Sequence, residues 1–178
     1  PGLNAMLTAS RRRLFAAAAG LAAALLAGCA SAKPARPEAK RTTPSACKKC
    51  IPGKAGLKAR TVVFAALGQC GIPYVYGGIT PGKGFDCSGL IVWAFRRIGI
   101  DLPRTAAEQA RCGRSVWLRN AAPGDIIVFK TGWSQRHTGI VAGAGRFVHA
   151  PRPGRTVCCE SYNTDYWLAR LIAVRRVI

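Results

Sequence analysis

The stretch Gly84-Phe85-Asp86-Cys87-Ser88-Gly89-Leu90 decides the fold, because it runs into the apolar segment 91–95 and predicts the start of a buried helix. Asp86 and Ser88 are residue types that cap helix starts. A cysteine there faces unpaired backbone N–H groups and the positive end of the helix dipole, which favour the ionised sulfur. We therefore expect Cys87 to have a lowered pKa and to be a nucleophile if a histidine reaches it.

The chain contains only two histidines, His137 and His149. They flank a segment that reads as two short strands joined at Gly143-Ala144-Gly145. Folding about that turn pairs residues whose numbers sum to about 286 or 287, which places the imidazoles directly opposite on one face, with Cβ atoms roughly 5 Å apart. A lone buried cysteine or histidine is usually structural. The combination favours a base that is oriented by the second histidine.

The remaining pattern predicts an α+β fold. Apolar spacing predicts helices over 57–67 and 87–97, and Thr105 followed by Glu108 predicts a capping box for a helix over 105–112. Strands are predicted over 126–130, 138–142, 146–149, 156–160 and 171–178. Helices followed by a meander of strands indicate one domain, residues 57–178, with an antiparallel sheet.

Seven stretches, taken in order, resemble the NlpC-type cell-wall peptidases, a papain-like cysteine peptidase family of bacterial envelopes. They are Tyr74–Gly78, Phe85–Leu90, Leu102–Gln109, Pro123–Phe129, Arg136–Ile140, Phe147–Pro151, and Tyr166–Arg170 followed by Arg175–Val177. The resemblance covers about residues 57 to 178. It implies a papain-like domain with N-terminal helices packed on a five- to six-stranded antiparallel sheet.

The expected chemistry is attack of Cys87 on an amide carbonyl, with His137 as base and later acid and His149 orienting His137. The backbone N–H of Cys87 is one donor for the oxyanion. The resemblance implies that Tyr74 borders the nucleophile and helps to hold the oxyanion, and that Asp86 and Ser88 line the substrate groove. Three further motif positions, for which structural roles are as good an interpretation, are Arg104, Gln109 and Arg136.

The substrate that the resemblance implies is the peptide stem of peptidoglycan, cut at the γ-D-glutamyl–diaminopimelate bond or at the D-alanyl–diaminopimelate cross-link. No cofactor or metal is expected, and a monomer is the expected state. Three alternatives remain open. They are a papain-like amidase or acyltransferase with the same triad, a non-catalytic cell-wall-binding lipoprotein, and a redox protein built around Cys47 and Cys50.

The N-terminal segment resembles a lipoprotein signal peptide over residues 1–28. Synthesis is expected to begin at Met6, with 1–5 upstream, and Arg11-Arg12-Arg13 precede an apolar run over 14–27. Leu26-Ala27-Gly28-Cys29 resembles a lipobox, so Cys29 is the expected lipid anchor to the membrane. Residues 29–56 then form a flexible tether. The expected location is the cell envelope, on the periplasmic face of the outer membrane in a Gram-negative organism.

The formal charge of the chain is +20, which suits a polyanionic wall or anionic lipid. Nucleic acid is not expected as a partner, because the basic residues are scattered and no aromatic-rich nucleic-acid motif accompanies them. Apart from Cys29 and Cys87, six cysteines remain, with fifteen possible disulfide connectivities and no pairing favoured.

Overall fold

The computed structural model describes residues 55–133 and 135–178. The expectations for the signal peptide, for Cys29, for the Cys47/Cys50 pair and for the tether up to residue 54 lie outside the described residues. The helices are α1 Leu57–Leu67, α2 Cys87–Arg96, α3 Ala106–Gln109 and α4 Asp165–Leu168. The strands are β1 Ile79–Thr80, β2 Gly84–Phe85, β3 Arg114–Val116, β4 Ile126–Lys130, β5 Arg136–Gly143, β6 Arg146–His149, β7 Cys158–Ser161 and β8 Leu171–Arg176.

Strands β3 to β8 form one antiparallel sheet in the order β3-β8-β4-β5-β6-β7, and β1 and β2 form a separate small hairpin. The predicted α+β class with helices and an antiparallel sheet is confirmed. The short elements β1, β2, β3 and α4 were not predicted, because two to four residues carry too little periodicity to be recognised.

The sheet buries apolar side chains on both faces. Ile126 and Val128 of β4 belong to a cluster with α1 and α2, whereas Ile127 and Phe129 belong to a second cluster with Trp167. Alternate residues of one strand point to opposite faces, so β4 reads as a continuous apolar run rather than an alternating one. The central sheet is therefore packed on both faces, and it supports the polar side chains that its strands carry.

The start of α2 is held in place from several directions. Asp86 is its N-cap, and its Oδ1 accepts from the backbone N–H of Gly89 at 2.7 Å. The other carboxylate oxygen accepts from the N–H of Gly77 at 2.9 Å. A Cβ at Gly89 would collide with the carbonyl oxygen of Gly78, so the loop before β1 and the first turn of α2 touch backbone to backbone. These contacts fix the position of Cys87, the first helical residue.

In the part of the chain that the structure describes, no helix has the length and apolar character that crossing a bilayer requires.

Candidate active site

Four of the six residues predicted to act in catalysis or substrate binding meet at one cavity of about 600 Å³. They are Tyr74, Cys87, His137 and His149. The cavity wall also includes three arginines, Arg136, Arg152 and Arg155, and three residues of the C-terminal part, Glu160, Tyr166 and Trp167. The cavity thus joins the start of α2 to strands β5, β6 and β7.

The β5–β6 hairpin brings the histidines together in a register different from the expected one. Ile140 pairs with Val148 and Val141 with Phe147, and the register shifts between Val141 and Gly143. The pairing therefore continues to Gly139 opposite His149, so the two histidines are diagonal rather than direct neighbours. The prediction that the two histidines lie directly opposite each other was wrong, because an irregularity beside the turn shifts the register of the strands. The prediction assumed a hairpin that folds symmetrically about Gly143–Gly145.

The two imidazoles nevertheless share one face and are hydrogen-bonded. His137 Nε2 and His149 Nδ1 lie 2.7 Å apart, and the ring centroids are 5.0 Å apart. His149 is fully buried and His137 is 5% exposed. Trp167 of α4 stacks on His137 with its ring centroid at 5.7 Å. Because Nε2 of His137 is hydrogen-bonded to His149, Nδ1 is the ring nitrogen that remains to accept a proton from Cys87.

The expected lowering of the Cys87 pKa is not what the structure shows. Burial raises the pKa of the Cys87 thiol, and the neighbouring Asp86 carboxylate raises it further, while hydrogen bonds with Thr138 and the Ser88 backbone oppose the rise. Burial accounts for most of the difference, and Asp86 adds to it. As N-cap it uses the N–H of Gly89 and sets a negative charge next to the sulfur, and both effects weaken the stabilisation of a thiolate.

The predicted base, His137, is uncharged as well. Burial and, to a smaller extent, the neighbouring His149 lower the pKa of His137 to about 3. The pair of Cys87 and His137 therefore rests as a thiol and a neutral imidazole. In this state the predicted chemistry requires the proton of the sulfur to pass to the imidazole, which is general-base activation rather than attack by a preformed thiolate.

Tyr74 lies at the cavity with its hydroxyl group protonated. Burial raises the pKa of the Tyr74 phenol, and the neighbouring Cys87 and Asp86 add to the rise. A protonated phenol is a hydrogen-bond donor at neutral pH. Its position beside Cys87 suits the predicted help to an oxyanion, and that role stays a prediction.

Asp86 and Ser88 lie outside the residues that line the cavity, and both side chains are buried. Arg104 donates to Asp86 Oδ2 at 2.5 Å and to Ser88 Oγ at 2.9 Å. Gln109 is also buried and donates to the carbonyl oxygens of Ser88 and Pro103. These contacts brace the start of α2. Substrate contact by Asp86 or Ser88 stays a prediction.

Sequence reasoning missed two residues of this site, Glu160 on β7 and Trp167 on α4. Glu160 Oε1 lies 3.1 Å from His149 Nε2, and the indole Nε1–H of Trp167 donates to Glu160 Oε2 at 3.3 Å. Trp167 belongs to the Tyr166–Arg170 motif, which was a usable signal. Glu160 had none, because its approach to His149 depends on the register of β6 and β7.

The described cysteines differ in their covalent state. Cys159 is disulfide-bonded, whereas Cys87 and Cys112 carry thiols.

A thiol, an imidazole pair and a helix packed on an antiparallel sheet define the class of papain-like cysteine peptidases. The sequence profile of the NlpC/P60 family matches residues 71–176, and the chain belongs to that family.

Named relatives agree with this assignment. The chain is 45% identical over 120 residues to the Gamma-DL-glutamyl hydrolase of Bacillus subtilis (strain 168), a match that covers 65% of this chain and 28% of the relative. It is 40% identical over 109 residues to the Murein DD-endopeptidase MepS/Murein LD-carboxypeptidase of Escherichia coli (strain K12), covering 61% of this chain and 57% of that protein. In both cases the match spans less than two thirds of the relative.

Solved structures show the same fold. An NLP/P60-family protein from Staphylococcus aureus, described as similar to lipoprotein, superposes with a TM-score of 0.63 at 34% identity, over 71% of this chain and 44% of that one. The peptidoglycan hydrolase RipB from Mycobacterium tuberculosis superposes with a TM-score of 0.58 at 30% identity, over 68% and 65% of the two chains.

Proposed function

We propose that this chain is an exported cysteine endopeptidase that hydrolyses amide bonds in the stem peptides of peptidoglycan. The observation that carries the proposal is the meeting of Cys87, His137, His149 and Tyr74 at one cavity. Relatives named as a hydrolase and as a murein endopeptidase support this substrate class. The cell envelope is the location that follows from such a substrate.

The reaction begins when the Cys87 thiol gives its proton to Nδ1 of His137 while Sγ bonds to the carbonyl carbon of the scissile amide. The resulting oxyanion accepts hydrogen bonds from the backbone N–H of Cys87 and the hydroxyl group of Tyr74. His137 then protonates the leaving amine, and the C–N bond breaks. Water that gives a proton to His137 attacks the thioester, which releases a carboxylate and restores the thiol.

The charge of the cavity wall suits an anionic peptide. Arg136, Arg152 and Arg155 line the same cavity as Cys87. Stem peptides carry free carboxylates, because D-glutamate is linked through its side-chain carboxyl group. Complementary charge increases the rate of encounter and orients the substrate more than it adds affinity. These arginines therefore favour stem peptides over neutral or cationic chains.

Two bonds remain in the proposal, the γ-D-glutamyl–diaminopimelate amide and the D-alanyl–diaminopimelate cross-link. The name of the Gamma-DL-glutamyl hydrolase favours the γ-D-glutamyl bond, and the name of the Murein DD-endopeptidase favours the D-alanyl cross-link. The proposal also includes a lipid anchor at Cys29, which would hold the domain of a monomeric enzyme on the membrane near its substrate.

Digestion of purified peptidoglycan tests the proposal, with the fragment from Lys33 onward and identification of released products by mass spectrometry. Fragments ending at D-glutamate assign the γ-D-glutamyl bond, and loss of cross-linked dimers alone assigns the D-alanyl bond. Cys87→Ala should release nothing, whereas Cys112→Ala, which removes a thiol outside the cavity, should release the wild-type products. Absence of any Cys87-dependent product would overturn the proposal and favour acyl transfer or wall binding.

A further inference from the structure

Three polar residues form a continuous row across adjacent strands. His137 lies on β5, His149 on β6 and Glu160 on β7. His149 pairs with Cys158 and Phe147 pairs with Glu160, so Glu160 reaches His149 on the diagonal, as His149 reaches His137. The two links are 2.7 Å between His137 Nε2 and His149 Nδ1, and 3.1 Å between His149 Nε2 and Glu160 Oε1.

Glu160 is an ionised acceptor at the end of this row. Its hydrogen bond with His149 lowers the pKa of Glu160 to about 2, and contacts with Cys158 and Trp167 act in the same direction. A carboxylate accepts hydrogen bonds and donates none. The group that faces it must therefore supply the proton, and for His149 that group is Nε2.

The proton positions then follow along the row. A neutral imidazole with its hydrogen on Nε2 has a lone pair on Nδ1, so His149 Nδ1 accepts from His137 Nε2. His137 is also neutral, and with its hydrogen on Nε2 its own lone pair is on Nδ1. That nitrogen is the one left to take the proton of Cys87. His149 is fully buried, so solvent offers it no other partner. Cys158 Sγ lies 3.5 Å from Nε2 of His149, but this thiol donates its hydrogen to Glu160 Oε1 at 3.3 Å, so Nε2 keeps its own hydrogen.

We propose that Glu160 is a positioning residue that sets the tautomers of both histidines, so that the free lone pair of His137 is available to Cys87. The catalytic part of this inference rests on the proposed function, whereas the tautomers are a property of the folded chain. Without an acceptor at position 160, the Cys158 thiol donates to Nε2 of His149 instead, and His149 places its own hydrogen on Nδ1. His137 then accepts at Nε2 and carries its hydrogen on Nδ1. Its Nδ1 has no lone pair for the Cys87 proton, so His137 cannot act as a base.

The scarcity of histidine makes the tautomers directly measurable. Because the chain contains two histidines, long-range ¹H–¹⁵N correlation spectra of histidine-labelled protein contain four ring-nitrogen resonances. At pH 7 the full wild-type chain should show the hydrogen of both rings on Nε2. Glu160→Leu, which removes the acceptor, should move the hydrogen of both rings to Nδ1. Glu160→Gln, a conservative variant that keeps an acceptor oxygen, should show a mixture or the wild-type pattern.

The control Asp101→Asn removes an exposed carboxylate outside the cavity and should leave the spectrum unchanged. A wild-type spectrum with either hydrogen on Nδ1, or a folded Glu160→Leu chain with the wild-type spectrum, overturns the inference. If Glu160→Leu fails to fold, the wild-type spectrum still decides. None of these spectra requires peptidoglycan hydrolysis, so a failure of the tautomer inference can be distinguished from a failure of the proposed function.

Where hydrolysis is measured, loss of the correct tautomer should lower kcat of Glu160→Leu by about 100-fold or more, with little change in KM. Glu160→Gln should recover part of kcat, because its amide oxygen can replace the carboxylate as acceptor. A folded Glu160→Leu variant with wild-type kcat would reject the catalytic part of the inference.

Discussion

At the scale of single residues, the protonation state of Cys87 depends more on its neighbours than on the helix that carries it. The position of Cys87 at the start of α2 favours a thiolate, but burial and the charge of Asp86 favour the thiol. His137 is likewise neutral, because burial penalises its cationic form. In the proposed mechanism, the reactive form of Cys87 therefore arises when its proton moves to His137.

This resting state predicts a particular pH dependence for alkylation of Cys87. The rate of reaction with iodoacetamide should rise steadily with pH above neutrality, because the thiolate is the reacting species and the pKa is raised. Cys112, whose thiol pKa burial also raises, is an internal comparison in the same digest. Peptide mass spectrometry measures both rates. A rate for Cys87 that stays constant between about pH 5 and 8 would instead show a thiolate–imidazolium pair.

Tyr74 supports a second prediction at this scale. If its hydroxyl group donates to the oxyanion, Tyr74→Phe should lower kcat roughly 10- to 1,000-fold with a small effect on KM. Tyr76→Phe is the matched control, because Tyr76 belongs to the same loop but is 89% exposed and does not line the cavity. Steady-state hydrolysis of a stem-peptide substrate gives both constants. Equal kcat values for the two variants would remove Tyr74 from the mechanism.

At the scale of elements, the position of α2 relative to the loop before β1 depends on two glycines. A side chain at Gly89 would meet the carbonyl oxygen of Gly78, and one at Gly78 would meet the backbone of Gly84. Close backbone contact of this kind transmits any shift of the loop to the first turn of α2, because packed interiors do not deform continuously. Tyr74 and Cys87, which lie on the two sides of this contact, are thereby held in a fixed relation.

Gly89→Ala is therefore expected to destabilise the fold, although alanine normally favours a helix over glycine by about 1 kcal/mol. The added Cβ overlaps a backbone oxygen that cannot rotate away, and we expect a loss of about 2 kcal/mol or more in the free energy of unfolding. Urea denaturation measures the change. Gly82→Ala is the control, since a Cβ at Gly82 has no atom within 4 Å and should alter stability little. A Gly89→Ala chain as stable as the wild type would refute the close contact.

At the scale of the whole molecule, the polar row on the sheet links stability to pH. His137 has a pKa of about 3 in the folded chain against 6.5 as its ordinary value, so the unfolded chain binds more protons between these limits. Stability from this residue is therefore full above about pH 6.5 and is lost as the pH falls toward 3. Glu160 acts in the same direction at lower pH, between its ordinary value of 4.5 and about 2.

The predicted result is a free energy of unfolding that decreases on acidification below pH 6.5. The contribution of His137 approaches about 1.4 kcal/mol per pH unit, the value for one proton taken up on unfolding. In His137→Gln this slope should be smaller by a similar amount between pH 6 and 4. Urea titrations at several pH values give the slopes, and parallel curves for the two proteins would contradict the folded-state pKa of His137.

Local patterns in the chain were sufficient for α1, α2 and the capping box at Thr105, because these features depend on residues within one or two turns of each other. The same is true for strands β4 and β6, whose bounds agree with the prediction. The placement of His137 and His149 on one face also followed locally, since the side-chain period of a strand is two residues.

Properties that depend on distant segments required the folded structure. The diagonal pairing of the histidines results from an irregularity in β5, and the approach of Glu160 to His149 results from the register of β6 and β7. The raised pKa of Cys87 and the lowered pKa of His137 come mainly from burial by segments far apart in the chain. Sequence patterns report which residues share a face, whereas burial and register are set by long-range packing, so the identity of the candidate groups was predictable and their protonation was not.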